Sequence, residues 1–283
     1  MITLRQAYNE LENLLKHGGI DSYKSEAKII FYHCFKIDYE YIILNGDQIF
    51  SEDKFEKIVE IAEKRKSKIP LQYILGLCEF MGEIFFVGEG VLVPREDTSV
   101  LVNESYNILK HKNNLKIVDL CSGSGCIAIT LKKMLGDNAE VYGIEISDKA
   151  YEYFSKNVSD KGENVKAIKA DIFKIYEDFE DEFFDAVVSN PPYIEESDMN
   201  NLQEEVLFEP KIALNGGKDG LDYYRKICSH WTSKIKHGGI IAFEIGINQA
   251  EAVENILEKN GFRNIKIFKD INNIPRVVIG ERN

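Results

Sequence analysis

Apolar positions recur at helical spacing through the first quarter of the chain, then give way to short apolar strands alternating with amphipathic helices. Between residues 3 and 17, Leu4, Ala7, Tyr8, Leu11, Leu14 and Leu15 share one face, and Gly18-Gly19 supplies the stop. After Asp21 and Ser22, both able to cap, Ala27, Ile30, Phe31, Cys34 and Phe35 continue the 3.6-residue period. A third helix is predicted to open at Ser51, to turn Phe55, Ile58, Val59 and Ala62 inward, and to end in the basic run Lys64-Arg65-Lys66 before Pro70. Residues 1–76 therefore read as a small helical bundle. The segment Glu79 to Pro94 alternates, is rich in aromatic and β-branched residues and has Gly88 and Gly90 at a turn, so residues 77–94 read as a β-hairpin linker.

From residue 95 to 283 the pattern is that of an α/β domain. Strands KIVDL, EVYGIEI, NVKAIKA and FDAVVSN alternate with helices opening near 97, 125 and 148, which implies a doubly wound, mostly parallel sheet. A helix near 221–235, the strand GGIIAFEI and a helix at 249–260 follow. The last two strands, near 263–268 and 275–280, are joined by a connection too short for a crossover helix, so they pair antiparallel.

Composition narrows the class. The 283 residues are 44% hydrophobic and 29% charged, the profile of an ordinary globular chain, and no apolar run approaches a membrane span. The N-terminus lacks the basic-then-apolar signature of a signal peptide, which places the protein in the cytoplasm. Five cysteines without a CxxC pair and five scattered histidines predict reduced thiols and no metal. The formal charge is −12, and since residues 1–78 hold 11 basic and 12 acidic side chains, nearly all the excess falls on the α/β part. Such a charge disfavours a broad grip on nucleic-acid backbones.

The first α/β strand runs into a glycine loop, Asp119-Leu120-Cys121-Ser122-Gly123-Ser124-Gly125, that opens a helix. Glu145 ends the next strand about 20 residues on, where an acid accepts both hydroxyls of an adenosine ribose. Cys121 stands where the first glycine of GxGxxG would lie beside a pyrophosphate, which argues for a nucleoside cofactor without phosphates. S-adenosyl-L-methionine is such a cofactor, and Asp119 is placed to hold its amino group. Asp171, with Ile172 and Phe173 beside it, either reaches the adenine or caps the following segment.

Asn190-Pro191-Pro192-Tyr193 follows the apolar strand Phe184 to Val188. The prolines stop the strand and leave carbonyls without ladder partners. The Asn190 side-chain oxygen, which also borders the cofactor, and the Pro191 carbonyl can accept both hydrogens of a planar NH₂ group, while Tyr193 stacks on the group that carries it. Holding those hydrogens orients the nitrogen lone pair at a sulfonium methyl, so Asn190, Pro191 and Tyr193 are the expected catalytic set. The alternative is a tight turn with a packed tyrosine.

With these residues the chain resembles the class I S-adenosylmethionine-dependent methyltransferases, and among them the PrmC/HemK family of release factor glutamine methyltransferases. PLQYILG at 70–76, LVPREDT at 92–98, LQEEVLFEPKIAL at 202–214, GGKDGLDYYRKI at 216–227 and RVVIGER at 276–282 carry the resemblance beyond NPPY. It implies methyl transfer to the side-chain amide nitrogen of the glutamine in the GGQ loop of class I peptide chain release factors, with S-adenosyl-L-homocysteine as product; the enzyme is expected to act as a monomer. Residues 1–76 would then help dock the release factor. Asn190, Pro191, Pro192 and Tyr193 would hold the glutamine amide, and Asp119, Cys121 to Gly125, Glu145, Asp171 and Ile172 the cofactor. Cys121, Glu145 and Ile172 depart from the glycine, aspartate and larger aromatics more usual in the family. Glu195, Glu196, Asp198, Glu204, Glu205 and Glu209 either rim the cleft with negative field that attracts a basic protein loop or form a solvated acidic loop. The rival is an amino-group methyltransferase acting on adenine or guanine of DNA or RNA, which uses NPPY on a flipped base but needs a basic recognition surface.

Overall fold

The structure, a computed structural model, describes residues 2–283. It divides into two compact units. The first runs to Leu77 and takes in Gln203–Phe208; the second comprises Cys78–Leu202 and Glu209–Asn283.

The first unit holds β1 (Ile2–Thr3), α1 (Leu4–His17), α2 (Tyr23–Phe35), α3 (Tyr39–Asn45), β2 (Ile49–Phe50), α4 (Glu52–Lys66) and α5 (Leu71–Leu75). Thr3 and Gln6 form a reciprocal capping box at the start of α1, and β1 pairs antiparallel with β2. Leu4, Ala7, Tyr8, Leu11 and Leu15 of α1 meet Ala27, Ile30 and Phe31 of α2 in one core. Two helices have no counterpart in the sequence reading: α3, capped by the side chain of Asp38, and the five-residue α5. The inward face of α4 also differs. Ile58, Ile61, Ala62 and Arg65 are buried, so Arg65 belongs to the interior and not to a solvated basic run. Its guanidinium donates to Glu26 Oε1 and Oε2 at 2.9 and 2.7 Å, to the Ile69 carbonyl at 2.6 Å and to Glu205 Oε1 at 2.8 Å.

The second unit opens within a hairpin of β3 (Leu77–Phe80) and β4 (Glu83–Phe86), at Cys78. Its turn is Met81-Gly82, both at positive φ (50° and 80°), the pairing that matches strand twist; the expected turn at Gly88 and Gly90 lies beyond the hairpin instead. Then come α6 (Thr98–Leu109), β5 (Leu115–Leu120), α7 (Cys126–Leu135), β6 (Ala139–Glu145), α8 (Asp148–Lys161), β7 (Val165–Lys169), α9 (Ile172–Ile175) and β8 (Phe184–Ser189). They are followed by α10 (Asp222–Trp231), β9 (Ile235–Glu244), α11 (Ala250–Lys259), β10 (Phe262–Lys269) and β11 (Pro275–Arg282).

Seven strands form one sheet in the order β10-β11-β9-β8-β5-β6-β7. The five from β9 to β7 are parallel, and β11 runs against both its neighbours, β9 and β10. The strand period of two sorts the core. Ile117, Val141, Ala186 and Val188 face Leu101, Leu131 and Phe154 on one side, whereas Val118, Ile144, Val187 and Phe243 face Tyr224, Trp231 and Leu257 on the other. The chain leaves β5 for β6 and β7 on one side, then crosses to β8 on the other. This topological switch leaves a crevice above the carboxyl ends of β5 and β8. Among the described residues, no helix is long and apolar enough to cross a membrane.

Candidate active site

A cavity of about 320 Å³, within the range of small-molecule sites, opens at that crevice. One wall is the β5–α7 loop. Its backbone turns through three positive φ values, Cys121 (63°), Gly123 (55°) and Gly125 (81°). A Cβ on Gly125 would lie 2.1 Å from the ring of the fully buried Phe154, so glycine is required there for space as well as for φ. At Gly123 a Cβ would meet nothing within 4 Å, and only φ demands glycine. Cys121 sits in a left-handed conformation that glycine adopts freely and a side chain resists by roughly 1–2 kcal/mol. Cys121→Gly is therefore expected to keep the melting temperature and cofactor affinity near wild type. Cys121→Val, β-branched at positive φ, should lower stability by about 1–2 kcal/mol and weaken S-adenosylmethionine binding in a titration.

Glu145 closes the second wall. It is buried, and each carboxylate oxygen is fixed by a backbone donor, Oε2 by Gly123 N at 2.8 Å and Oε1 by Ser147 N at 2.7 Å. Burial raises its carboxyl above the usual range, and the bonds from Ser147 and Gly123 partly offset that rise. A carboxylate oxygen has a second lone pair, so Glu145 keeps acceptors for a diol. Asp119 lies off the cavity wall, fully buried under the loop; neither carboxylate oxygen has a hydrogen bond of full geometry, and only Ser122 and the Ala128 N–H bear on it. Burial pushes its carboxyl up to about 8, which a cation bound in the cavity would bring down again. Such a weakly bonded buried acid beneath the loop suits a ligand with a positive end.

Cys121, Ser122, Gly123, Ser124, Glu145, Asp171, Ile172, Asn190 and Pro192 line the cavity, while Asp119, Gly125, Pro191 and Tyr193 stand behind it. Asp171 does cap α9, accepting from Phe173 N at 2.9 Å, and it also borders the cavity. The Tyr193 ring packs over the Gly246 backbone, its carbonyl accepts from Gln249 Nε2 at 2.9 Å, and burial pushes its phenol up to about 12. The GGKDG segment is buttressed on this turn: Ile194 N donates to Leu214 O, Gly216 N to Ile194 O, and a Cβ at Gly216 would strike Tyr193 backbone at 2.7 Å.

Several cavity residues escaped the sequence reading. Thr98 and Arg95, from the stretch that opens α6, line it, as do Tyr223 and Lys226 of α10. Glu244, an acid interrupting the apolar run IIAFEI, was a visible signal, and the structure sets it at the end of β9 one register step beyond the Ser189–Phe243 pair, beside Asn190. None of the six acids expected around the cleft lines the cavity. Glu209 is buried, pairs with Arg95 and accepts from Val93 N, and Glu205 is held by Arg65, which leaves Glu195, Glu196 and Asp198 exposed in the second unit. Among the described residues, no cluster of three or more His, Cys, Asp or Glu side chains is suited to a metal.

The fold is that of the S-adenosylmethionine-dependent methyltransferases. The structure is similar to the hMettl16 catalytic domain in complex with a MAT2A 3′UTR hairpin (TM-score 0.57, 13% identity, 85% of each chain covered). It is similar also to the T. thermophilus 16S rRNA N2 G1207 methyltransferase in complex with AdoMet and guanosine (TM-score 0.52, 16% identity, 73% of this chain and 50% of that one). Residues 98–218 match the family described as the methyltransferase small domain, and residues 6–76 the PrmC N-terminal domain. A release factor glutamine methyltransferase of Clostridium botulinum is 38% identical over 269 residues, 94% of either chain. This chain belongs to the release factor glutamine methyltransferase family.

Proposed function

We propose that the protein transfers a methyl group from S-adenosylmethionine to the side-chain amide nitrogen of the glutamine in the GGQ loop of class I peptide chain release factors. The observation that carries this is Asn190, set on the cavity wall at the carboxyl end of β8 across from the Gly123–Glu145 cradle. When bound there, S-adenosylmethionine supplies an electrophilic methyl on a cationic sulfur. Asp119, Cys121 to Gly125, Glu145, Asp171 and Ile172 form its seat. The Asn190 Nδ2 donates to Thr98 Oγ1 at 3.4 Å, which leaves Oδ1 to accept from the substrate amide. That bond localises the lone pair on a nitrogen otherwise weakened by amide delocalisation and points it at the methyl. Pro191 and Pro192 hold the turn that presents the Pro191 carbonyl, and Tyr193 supports it. The proton leaves for solvent after transfer, when the nitrogen has become acidic.

In this reading residues 1–76 dock the release factor, residues 77–94 link, and residues 95–283 catalyse. The enzyme acts as a cytoplasmic monomer, and Glu195, Glu196 and Asp198 favour a basic protein loop over nucleic acid. Radiolabelled methyl transfer tests it. Label is expected on a purified class I release factor and absent from a variant lacking the GGQ glutamine; label that survives this loss, or appears only in total nucleic acid, would reject the reading.

A further inference from the structure

We infer that Glu244 is a positioning residue for methyl transfer: its carboxylate selects the amide orientation of Asn190 that turns Oδ1 toward the substrate. The inference rests on the proposed function, since it concerns how Asn190 is held for that reaction. An asparagine amide has two orientations of nearly equal shape, one offering Oδ1 to the cavity and the other Nδ2. Only the first can accept an N–H from a glutamine amide. Thr98 by itself does not decide between them, because a free hydroxyl donates or accepts with equal ease; only when its single hydrogen is given to a carboxylate is it left to accept from Asn190. An ionised carboxylate accepts only, so the side of Asn190 that faces it must be nitrogen.

Glu244 is placed for this. It ends β9 beside Asn190, is 2% exposed, and bears on both Thr98 and Asn190, whose hydrogen bonds favour its charged form. Its Oε2 nevertheless lacks a bond of full geometry, and the Asn190–Thr98 bond is long at 3.4 Å. The triad is one short step from closure, as catalytic hydrogen bonds often are before substrate arrives. A glutamine or an apolar side chain would cost the fold less than a buried acid with an open oxygen.

The surroundings set a pH dependence. Burial pushes Glu244 up to about 7, with Asp97 raising it and Arg276 opposing; Tyr193 and Tyr224 face it as neutral phenols, and Cys126 at the start of α7 as a neutral thiol raised by burial. Once protonated, the carboxyl can donate, and the other Asn190 orientation becomes available. Activity should therefore fall as pH drops through about 7.

The test compares wild type, Glu244→Gln and Thr98→Val, with release factor and S-adenosylmethionine as substrates. Glu244→Gln keeps shape but can donate or accept. It is expected to lower kcat roughly 10- to 100-fold, to leave the KM for S-adenosylmethionine within about threefold, and to flatten the acid limb near pH 7. Its melting temperature at pH 8 should equal or exceed that of wild type, because an acid whose folded pKa is raised destabilises the fold once ionised. Thr98→Val should lose less than tenfold in kcat and keep the acid limb. Wild-type kcat and an unchanged pH profile in Glu244→Gln would overturn the inference, as would a loss accompanied by a lower melting temperature. Failure of wild type to label the glutamine would instead reject the function itself.

Discussion

Replacing Asn190 by alanine is expected to lower kcat for release factor methylation about 10²- to 10³-fold while leaving S-adenosylmethionine affinity within about threefold. The magnitude follows from what the side chain does. An acceptor aimed at the substrate amide acts mainly on the transition state, where the nitrogen gives up its lone pair and its hydrogens become more acidic; losses of this kind fall on kcat. The cofactor seat is built elsewhere, from the β5–α7 loop and Glu145, whose oxygens are anchored by Gly123 and Ser147 and not by Asn190. Stability should change by no more than about 1 kcal/mol, because the side chain's hydrogen bond to Thr98 is long, at 3.4 Å. Single-turnover kinetics with equilibrium cofactor titration separates the two quantities. Equal losses in kcat and affinity would mean that Asn190 holds the crevice together and does not act on the substrate.

The features legible in the sequence were those that a local rule dictates. Strand-loop-helix at Asp119 to Cys126, the acid at Glu145 and the proline stop after Asn190 each follow from backbone chemistry within a few residues, and they fall at the carboxyl ends of adjacent strands. Illegible features depend on partners far away in the chain. Glu244 and Thr98 meet Asn190 only because β9 lies in register with β8 and α6 opens at the same end of the sheet. The hairpin turn was misplaced because Gly88 and Gly90 look as turn-like as Met81-Gly82, and only strand pairing distinguishes them. Cys121 is an intermediate case: its departure from glycine was visible, but its positive φ was not.

Arg65 shows how far such distant pairing can invert a local reading, and Arg65→Ala is expected to destabilise the helical unit by about 3–5 kcal/mol. In sequence it sits between Lys64 and Lys66 at the end of an amphipathic helix, where a basic side chain complements the helix dipole. In the fold it is 1% exposed, and its guanidinium meets two carboxylates and the Ile69 carbonyl. Glu26 is itself buried, so alanine would leave a carboxylate in the core without its cation, together with a cavity. A neighbouring lysine tests the contrast: Lys64→Ala removes only an exposed i,i+4 pair with Glu60 and should cost under about 0.5 kcal/mol. Hydrogen exchange reads the effect where it arises, as lost protection in α2 and α4. The single tryptophan, Trp231, lies in the second unit and reports on that unit separately. Glu205 extends the consequence to the segment after NPPY, since Gln203–Phe208 clusters with the helices and Glu205 is its ionic tie to Arg65. Arg65→Ala should therefore also expose this segment to limited proteolysis. If α2 and α4 kept wild-type protection and the segment stayed resistant, the buried guanidinium would be neither neutralising Glu26 and Glu205 nor needed to fill the core.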